Sequence, residues 1–129
     1  LNRDAKIGLM TSTPSRELRF RLKGKEDFYE EFESRDFVMT QDKVKNIKPD
    51  PDGILKFSEL WGLPVKNLCM IGDMTADILA AKAAGCISIG VLSGYCTQKD
   101  FDRTTPDYVI PDVTHIPELL DEIKSSLKP

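Results

Sequence analysis

At 129 residues the chain is about one domain's worth, enough to bury one core but not two. It is 40% hydrophobic, 30% charged and 8% aromatic, as an ordinary globular domain is. A net charge of -3 with both signs interleaved leaves no basic stripe of the kind nucleic-acid binding needs. The longest apolar stretches, such as Cys86 to Leu92, fall far short of the roughly 20 residues of a membrane helix. No charged-then-apolar leader opens the sequence. Cys69, Cys86 and Cys96 are an odd number of cysteines, two of them in apolar runs. They read as buried, reduced thiols in a reducing compartment, and a cytoplasmic location is expected. The chain opens at Leu1 and runs into a strand within a few residues. That reads as a fragment, although a processed protein would begin the same way.

Lys6-Ile-Gly-Leu-Met10 is a short apolar run stopped by Thr-Ser-Thr-Pro, the pattern of a buried strand ending in a polar turn. Pro14 followed by Ser15-Arg-Glu-Leu fits a helix start, with the helix running to about Lys23 and ending at Gly24. Asp27 to Arg35 is acidic with Phe28, Tyr29 and Phe32 inserted; a helix and an extended linker both fit. Phe37-Val-Met-Thr40 reads as a short strand. Lys43 to Pro51 is a polar loop whose Lys48-Pro-Asp-Pro51 run excludes a helix. Ile54, Leu55, Phe57, Ser58, Leu60 and Trp61 then have helical spacing up to Gly62.

Leu68-Cys-Met-Ile71 is the next predicted strand, closed by Gly72-Asp73. An alanine-rich helix over Thr75 to Ala84 follows, capped by Gly85. Cys86 to Leu92 reads as a strand, then a Ser-Gly-containing loop, a short strand at Tyr108-Val-Ile110, and an amphipathic helix from His115 to Leu127. The alternation of strand and helix predicts an α/β fold with a parallel sheet wrapped by helices. The strands are apolar nearly throughout, as in sheets buried on both faces. Ligands in such folds bind at the carboxyl ends of the strands, where this sequence places its polar clusters.

Three clusters carry the chemistry. Asp73 and Asp77 lie four residues apart across a strand end and a helix start, so both carboxylates can converge on one hard cation such as Mg2+, which takes oxygen ligands. Asp73 as a simple helix cap is the plainer alternative. Lys48, held between stiff residues, is a placed positive charge suited to an anionic oxygen, although most loop lysines are only solvated. Thr11 and Ser12 put hydroxyls at a strand end before a helix start, a natural phosphate seat, although most such pairs only make turns. His115, the one histidine, reads as a surface or capping residue. Trp61 and the Phe28, Tyr29, Phe32 group read as packing. Neither Cys69 nor Cys96 has a base nearby in sequence that would make it a nucleophile.

Taken together, the order hydroxyl, loop lysine, Gly-Asp pair resembles the haloacid dehalogenase-like hydrolases. The resemblance runs from about Lys6 to the last helix. It rests on Ile7-Gly-Leu-Met-Thr-Ser12, Lys48-Pro-Asp-Pro51, Gly72-Asp73-Met-Thr-Ala-Asp-Ile78, and Ala83-Ala-Gly85 leading into Ile89-Gly-Val-Leu-Ser-Gly94. It is most similar to the phosphoglycolate-phosphatase-like branch, in which a cap domain lies between the first two motifs. The resemblance implies a three-layer Rossmann-like core with a mainly parallel sheet. It implies that Thr11, with Ser12 beside it, binds the transferring phosphoryl group, and that Lys48 offsets negative charge there. It also implies that Asp73 ligates Mg2+ and that Asp77 supports the same metal site, directly or through water.

The family's first motif, an aspartate nucleophile with a second aspartate two residues on, has no counterpart here. Asp50-Pro-Asp52-Gly53 follows a rigid loop rather than an apolar strand and is rejected. In the family that motif ends the central strand, so residues 1–129 are expected to form a partial core domain without its first strand and cap. Unpaired strand edges are costly, so the missing amino-terminal segment or another chain is expected to complete the sheet. The expected function is Mg2+-dependent hydrolysis of small phosphomonoesters through an aspartyl-phosphate formed upstream of this chain, with this chain alone inactive. A phosphomutase or dehalogenase of the same superfamily, and a non-catalytic scaffold of the same fold, are the rivals. A receiver-like signalling domain fits less well, because its acidic pair precedes its lysine.

Overall fold

The computed structural model describes residues 6–11, 14, 16–17, 24–25, 30 and 37–127. The elements among them are β1 (Leu9–Met10), β2 (Val38–Met39), α1 (Asp52–Trp61), β3 (Cys69–Gly72), α2 (Thr75–Ala84), β4 (Ile87–Val91), α3 (Gln98–Thr104), β5 (Tyr108–Ile110) and α4 (Ile116–Leu127). Single 3-10 turns lie at Gln41–Lys43, Val65–Asn67 and Val113–His115. Most of the helix expected between Ser15 and Lys23 lies outside the described residues, as do Ser12, Phe28, Tyr29 and Phe32.

The fold is α/β with parallel strands, as the apolar runs predict. The strands form two sheets, β1-β2 and β3-β4-β5. Leu9 faces Val38 in the first; Cys69 faces Ile87 and Gly72 faces Gly90 in the second, with Ile89 opposite Tyr108. Helices cover both faces of the larger sheet. On one, Ile89, Val91 and Ile110 pack under Ile116, Leu119 and Ile123 of α4. On the other, Ile54 of α1 and Ala80 and Ala81 of α2 pack with Leu68 and Cys86. Small alanine side chains let α2 lie close to the strands, and Gly85 in the left-handed region (φ 85°) closes the helix by donating to the Ala81 and Lys82 carbonyls. Ser88, buried in β4, ties down the start of β5: its N–H and Oγ–H both donate to Asp107 Oδ2, at 2.9 and 3.2 Å.

One element departs from the sequence reading. Residues read as loop between Ser93 and Asp107 contain α3. Asp100 Oδ2 accepts the Thr97 N–H at 2.9 Å while Thr97 Oγ1 accepts the Asp100 N–H at 3.4 Å, a capping box that starts a helix. The helix carries fully buried Phe101 onto Gly90, where any Cβ would collide with the ring. Burying a side chain of that size contributes about 3 kcal/mol.

The inner edges of the two sheets, β1 and β3, do not pair with each other. A cleft of about 580 Å³ separates them, lined by Met10, Met70 and Ile71, by Phe57 and Trp61 of α1, and by Ile123 of α4. Ile7, Leu9 and Ile71 remain more than a third exposed. Among the described residues, no helix is long and apolar enough to cross a membrane.

Candidate active site

The polar clusters meet at the carboxyl ends of the strands. β3 ends at Gly72, Asp73 follows directly, and Asp77 stands in the first turn of α2, where the helix dipole favours a carboxylate. Asp77 is 3% exposed. Its Oδ2 accepts the Met74 N–H at 3.2 Å and its Oδ1 accepts from Lys48 Nζ at 2.6 Å. The pair is sheltered, with side-chain exposures of 16% for Lys48 and 5% for Asp77, so its charges interact through protein rather than through bulk water.

Lys48 is placed by its loop. Asp52 Oδ2 accepts the N–H groups of Lys45 and Asn46 at 2.7 and 3.0 Å, and Asp50 Oδ1 accepts the Asp52 N–H at 3.0 Å. The two carboxylates of the Asp50 to Gly53 run thus hold the loop's own backbone. The Lys48-Pro49 peptide is cis. Beside Lys48, Thr11 and Thr40 line a cavity of about 10 Å³ with Met10 and Met39, room for about one water. Those residues are the carboxyl ends of β1 and β2. Lys48 therefore joins the ends of both sheets, and both point their carboxyl ends toward it.

Of the residues singled out from sequence, Lys48 and Asp77 touch, Thr11 shares a cavity with Lys48, and Asp73 sits four residues ahead of Asp77. Ser12 lies outside the described residues. His115 is exposed, and the three cysteines are free thiols. Burial, with the neighbouring Cys69 second, pushes the Cys86 thiol up to about 11; burial and then the Asp107 charge raise that of Cys69. Neither is poised as a nucleophile.

The sequence reading places Thr40 in a strand and Gly94 in a motif but gives neither a role at the site, and it does not single out Tyr95. Thr40 is fully buried, and its signal was present: Phe37 to Thr40, like Lys6 to Thr11, is an apolar run ending in a hydroxyl. Gly94 and Tyr95 lie against Asp73. The Tyr95 N–H donates to Asp73 Oδ2 at 3.3 Å and the Cys96 N–H to the Asp73 carbonyl at 3.1 Å. A Cβ on Gly94 would overlap the Asp73 carboxylate. The topology brings them there, since β4 lies parallel beside β3 with Gly90 opposite Gly72.

The donor set fits a magnesium ion. Asp73 is half-buried, and among the described residues its Oδ1 takes no hydrogen bond, leaving a hard oxygen of the kind the ion prefers. No cluster of three or more His, Cys, Asp or Glu that could hold a metal occurs among the described residues.

A family profile described as HAD-hydrolase-like matches residues 46–116, more than half of the chain. The chain is 37% identical over 91 residues to the phosphoglycolate phosphatase of Neisseria meningitidis, covering 68% of this chain and 39% of that protein. Among solved structures it is similar to a hydrolase from Pseudomonas syringae, with TM-score 0.62, 34% identity, and coverage of 67% of this chain and 41% of that one. It shares the fold of a haloacid dehalogenase-like protein of unknown function from Agrobacterium tumefaciens at TM-score 0.79 and 18% identity, over 95% of this chain and 57% of the other. The chain thus spans less than two thirds of the length of each, and about two fifths of the first two. On the motif order, the convergent strand ends and the matched segment, the chain belongs to the haloacid dehalogenase-like hydrolases.

Proposed function

We propose that this chain is the carboxy-terminal part of the core of a magnesium-dependent phosphatase of small phosphomonoesters, acting through an aspartyl-phosphate on a nucleophile outside these residues. The observation that carries the reading is Lys48 held at 2.6 Å from buried Asp77 where the ends of both sheets converge. A fixed cation there offsets charge on phosphoryl oxygens without reorganising, which is the main catalytic need of phosphoryl transfer. Thr11, with Ser12 next to it, donates hydroxyl hydrogen bonds to the phosphoryl group. Asp73 holds the metal through Oδ1, and Asp77 supports the site by fixing Lys48. A bound magnesium ion would supply charge neutralisation and clamp the phosphate. The relatives named as phosphoglycolate phosphatases support a small phosphorylated metabolite as substrate.

The cleft between β1 and β3 supports the location of the nucleophile. Two open edges with carboxyl ends on the same side can take one extended apolar strand between them, parallel to both. Such a strand would end beside Lys48. The test compares this chain with a version extended upstream through an apolar strand ending in Asp-x-Asp, both assayed on p-nitrophenyl phosphate with magnesium. The chain alone should give no turnover; turnover well above blank would place the nucleophile within it. In the extended version, Asp73→Asn should abolish turnover and Lys48→Ala should lower kcat by about 100-fold or more. An extended version that binds phosphate esters but never turns over would favour a scaffold instead.

A further inference from the structure

The Leu92 to Cys96 loop lies against Asp73 at three points that no catalytic role yet uses. The Tyr95 N–H reaches Oδ2, the Cys96 N–H reaches the Asp73 carbonyl, and Gly94 faces the carboxylate so closely that a Cβ would overlap it. We propose that Gly94 and the Tyr95 amide are positioning elements that fix the Asp73 carboxylate, with Oδ2 held by the loop and Oδ1 turned out to take a divalent cation. The proposal rests on the reading of Asp73 as the metal-binding carboxylate and adds what orients it.

An aspartate at a strand end is free to rotate about two side-chain torsions, and a metal ligand must hold one orientation. Groups that orient a ligand typically change metal affinity about 10- to 100-fold when removed. The loop is suited to this because it is itself anchored. Cys96 is 5% exposed and packs with Ile78 of α2 and Phe101 of α3. Tyr95, one residue earlier, is 80% exposed, so its part in the clasp is played by its backbone.

Gly94 is not among the glycines with positive φ. Alanine therefore fits its backbone, and a substitution there tests only the contact with Asp73. Gly72 has the corresponding place beside Asp77, where a Cβ would overlap that carboxylate. Each acidic side chain of the site is thus seated against a glycine at the carboxyl end of a strand or just beyond it.

The test uses the whole chain and magnesium chloride as probe, in two arms read by backbone amide NMR. Without metal, the Tyr95 amide should be protected from exchange in the wild type and lose about tenfold or more of that protection in Gly94→Ala. With magnesium, the Asp73 and Tyr95 amides of the wild type should shift on titration, and Gly94→Ala should need about tenfold more metal. Tyr95→Ala, which keeps the N–H, should titrate as the wild type does. If Gly94→Ala does not fold, Tyr95→Pro removes the same donor and should give the same weakening. A wild type that titrates together with an unchanged Gly94→Ala overturns the clasp alone. A wild type that shows no response at Asp73 overturns the magnesium reading and the clasp with it.

Discussion

The two sheets of this molecule are built to different standards. Around β3, β4 and β5, helices cover both faces, a capping box starts α3, a glycine cap ends α2, and the Ser88–Asp107 hydrogen bonds pin the third strand. β1 and β2 pair over two residues each, with Val38 and Met39 buried but Leu9 more than a third exposed. The residues of the candidate site are divided between them: Asp73 and Asp77 belong to the thick half, Thr11 and Thr40 to the thin one. Lys48 is the group that spans both. A site assembled across such a boundary needs whatever holds the halves together, and among the described residues the inner edges share no backbone pairing.

The largest effect should come from the thick half. Phe101→Ala empties the space over Gly90 and should cost about 4 kcal/mol, read as a lower urea midpoint. Val38→Ala in β2 removes less, about 2 kcal/mol, and should speed amide exchange at residues 37–40 while leaving β4 protected. If Val38→Ala loosened β4 to the same degree, the two sheets would unfold as one unit and the comparison would fail.

Lys48 tests the joint itself. Lys48→Met keeps an unbranched side chain, one atom shorter, but leaves the buried Asp77 carboxylate without its cation, at a cost of about 2–3 kcal/mol. Adding Asp77→Asn should recover part of that loss, because the two residues share one interaction and their effects do not add. Strictly additive losses in a double-mutant cycle would mean that the 2.6 Å contact contributes nothing to holding the halves together.

How much of this was legible in the sequence follows the same division between local and distant. Thr75 to Ala84 and Tyr108 to Ile110 are legible to the residue, because their signals are local: an alanine-rich run with a following glycine, and an aromatic residue followed by two β-branched ones between turn residues. Helix α3 was missed although Thr97 and Asp100 carry a capping-box pattern; a seven-residue helix with one buried side chain has almost no apolar periodicity to read. The family was legible as an order of motifs, and with it the candidate site. Its geometry was not, because the contact of Asp77 with Lys48 and that of Asp73 with Tyr95 join residues far apart in sequence. Only the parallel stacking of strands makes them neighbours.

The smallest expected effect concerns the wall of the cleft. Cys86 is buried there, and its thiol is pushed up to about 11 from an ordinary 9.0, by burial first. The folded chain therefore holds that proton more tightly than the unfolded chain does. Between those two values the unfolded state binds fewer protons, so stability must fall as pH rises. The loss is about 0.4 kcal/mol by pH 9 and grows toward pH 11. Cys86→Ala should cost some packing at every pH but flatten this alkaline slope, measured as urea midpoints from pH 7 to 10. A slope unchanged by the substitution would move the titration elsewhere. A strand bound in the cleft should deepen the burial of Cys86 and steepen the slope in the wild type alone, which makes the thiol a reporter of whether the gap between the two sheets is filled.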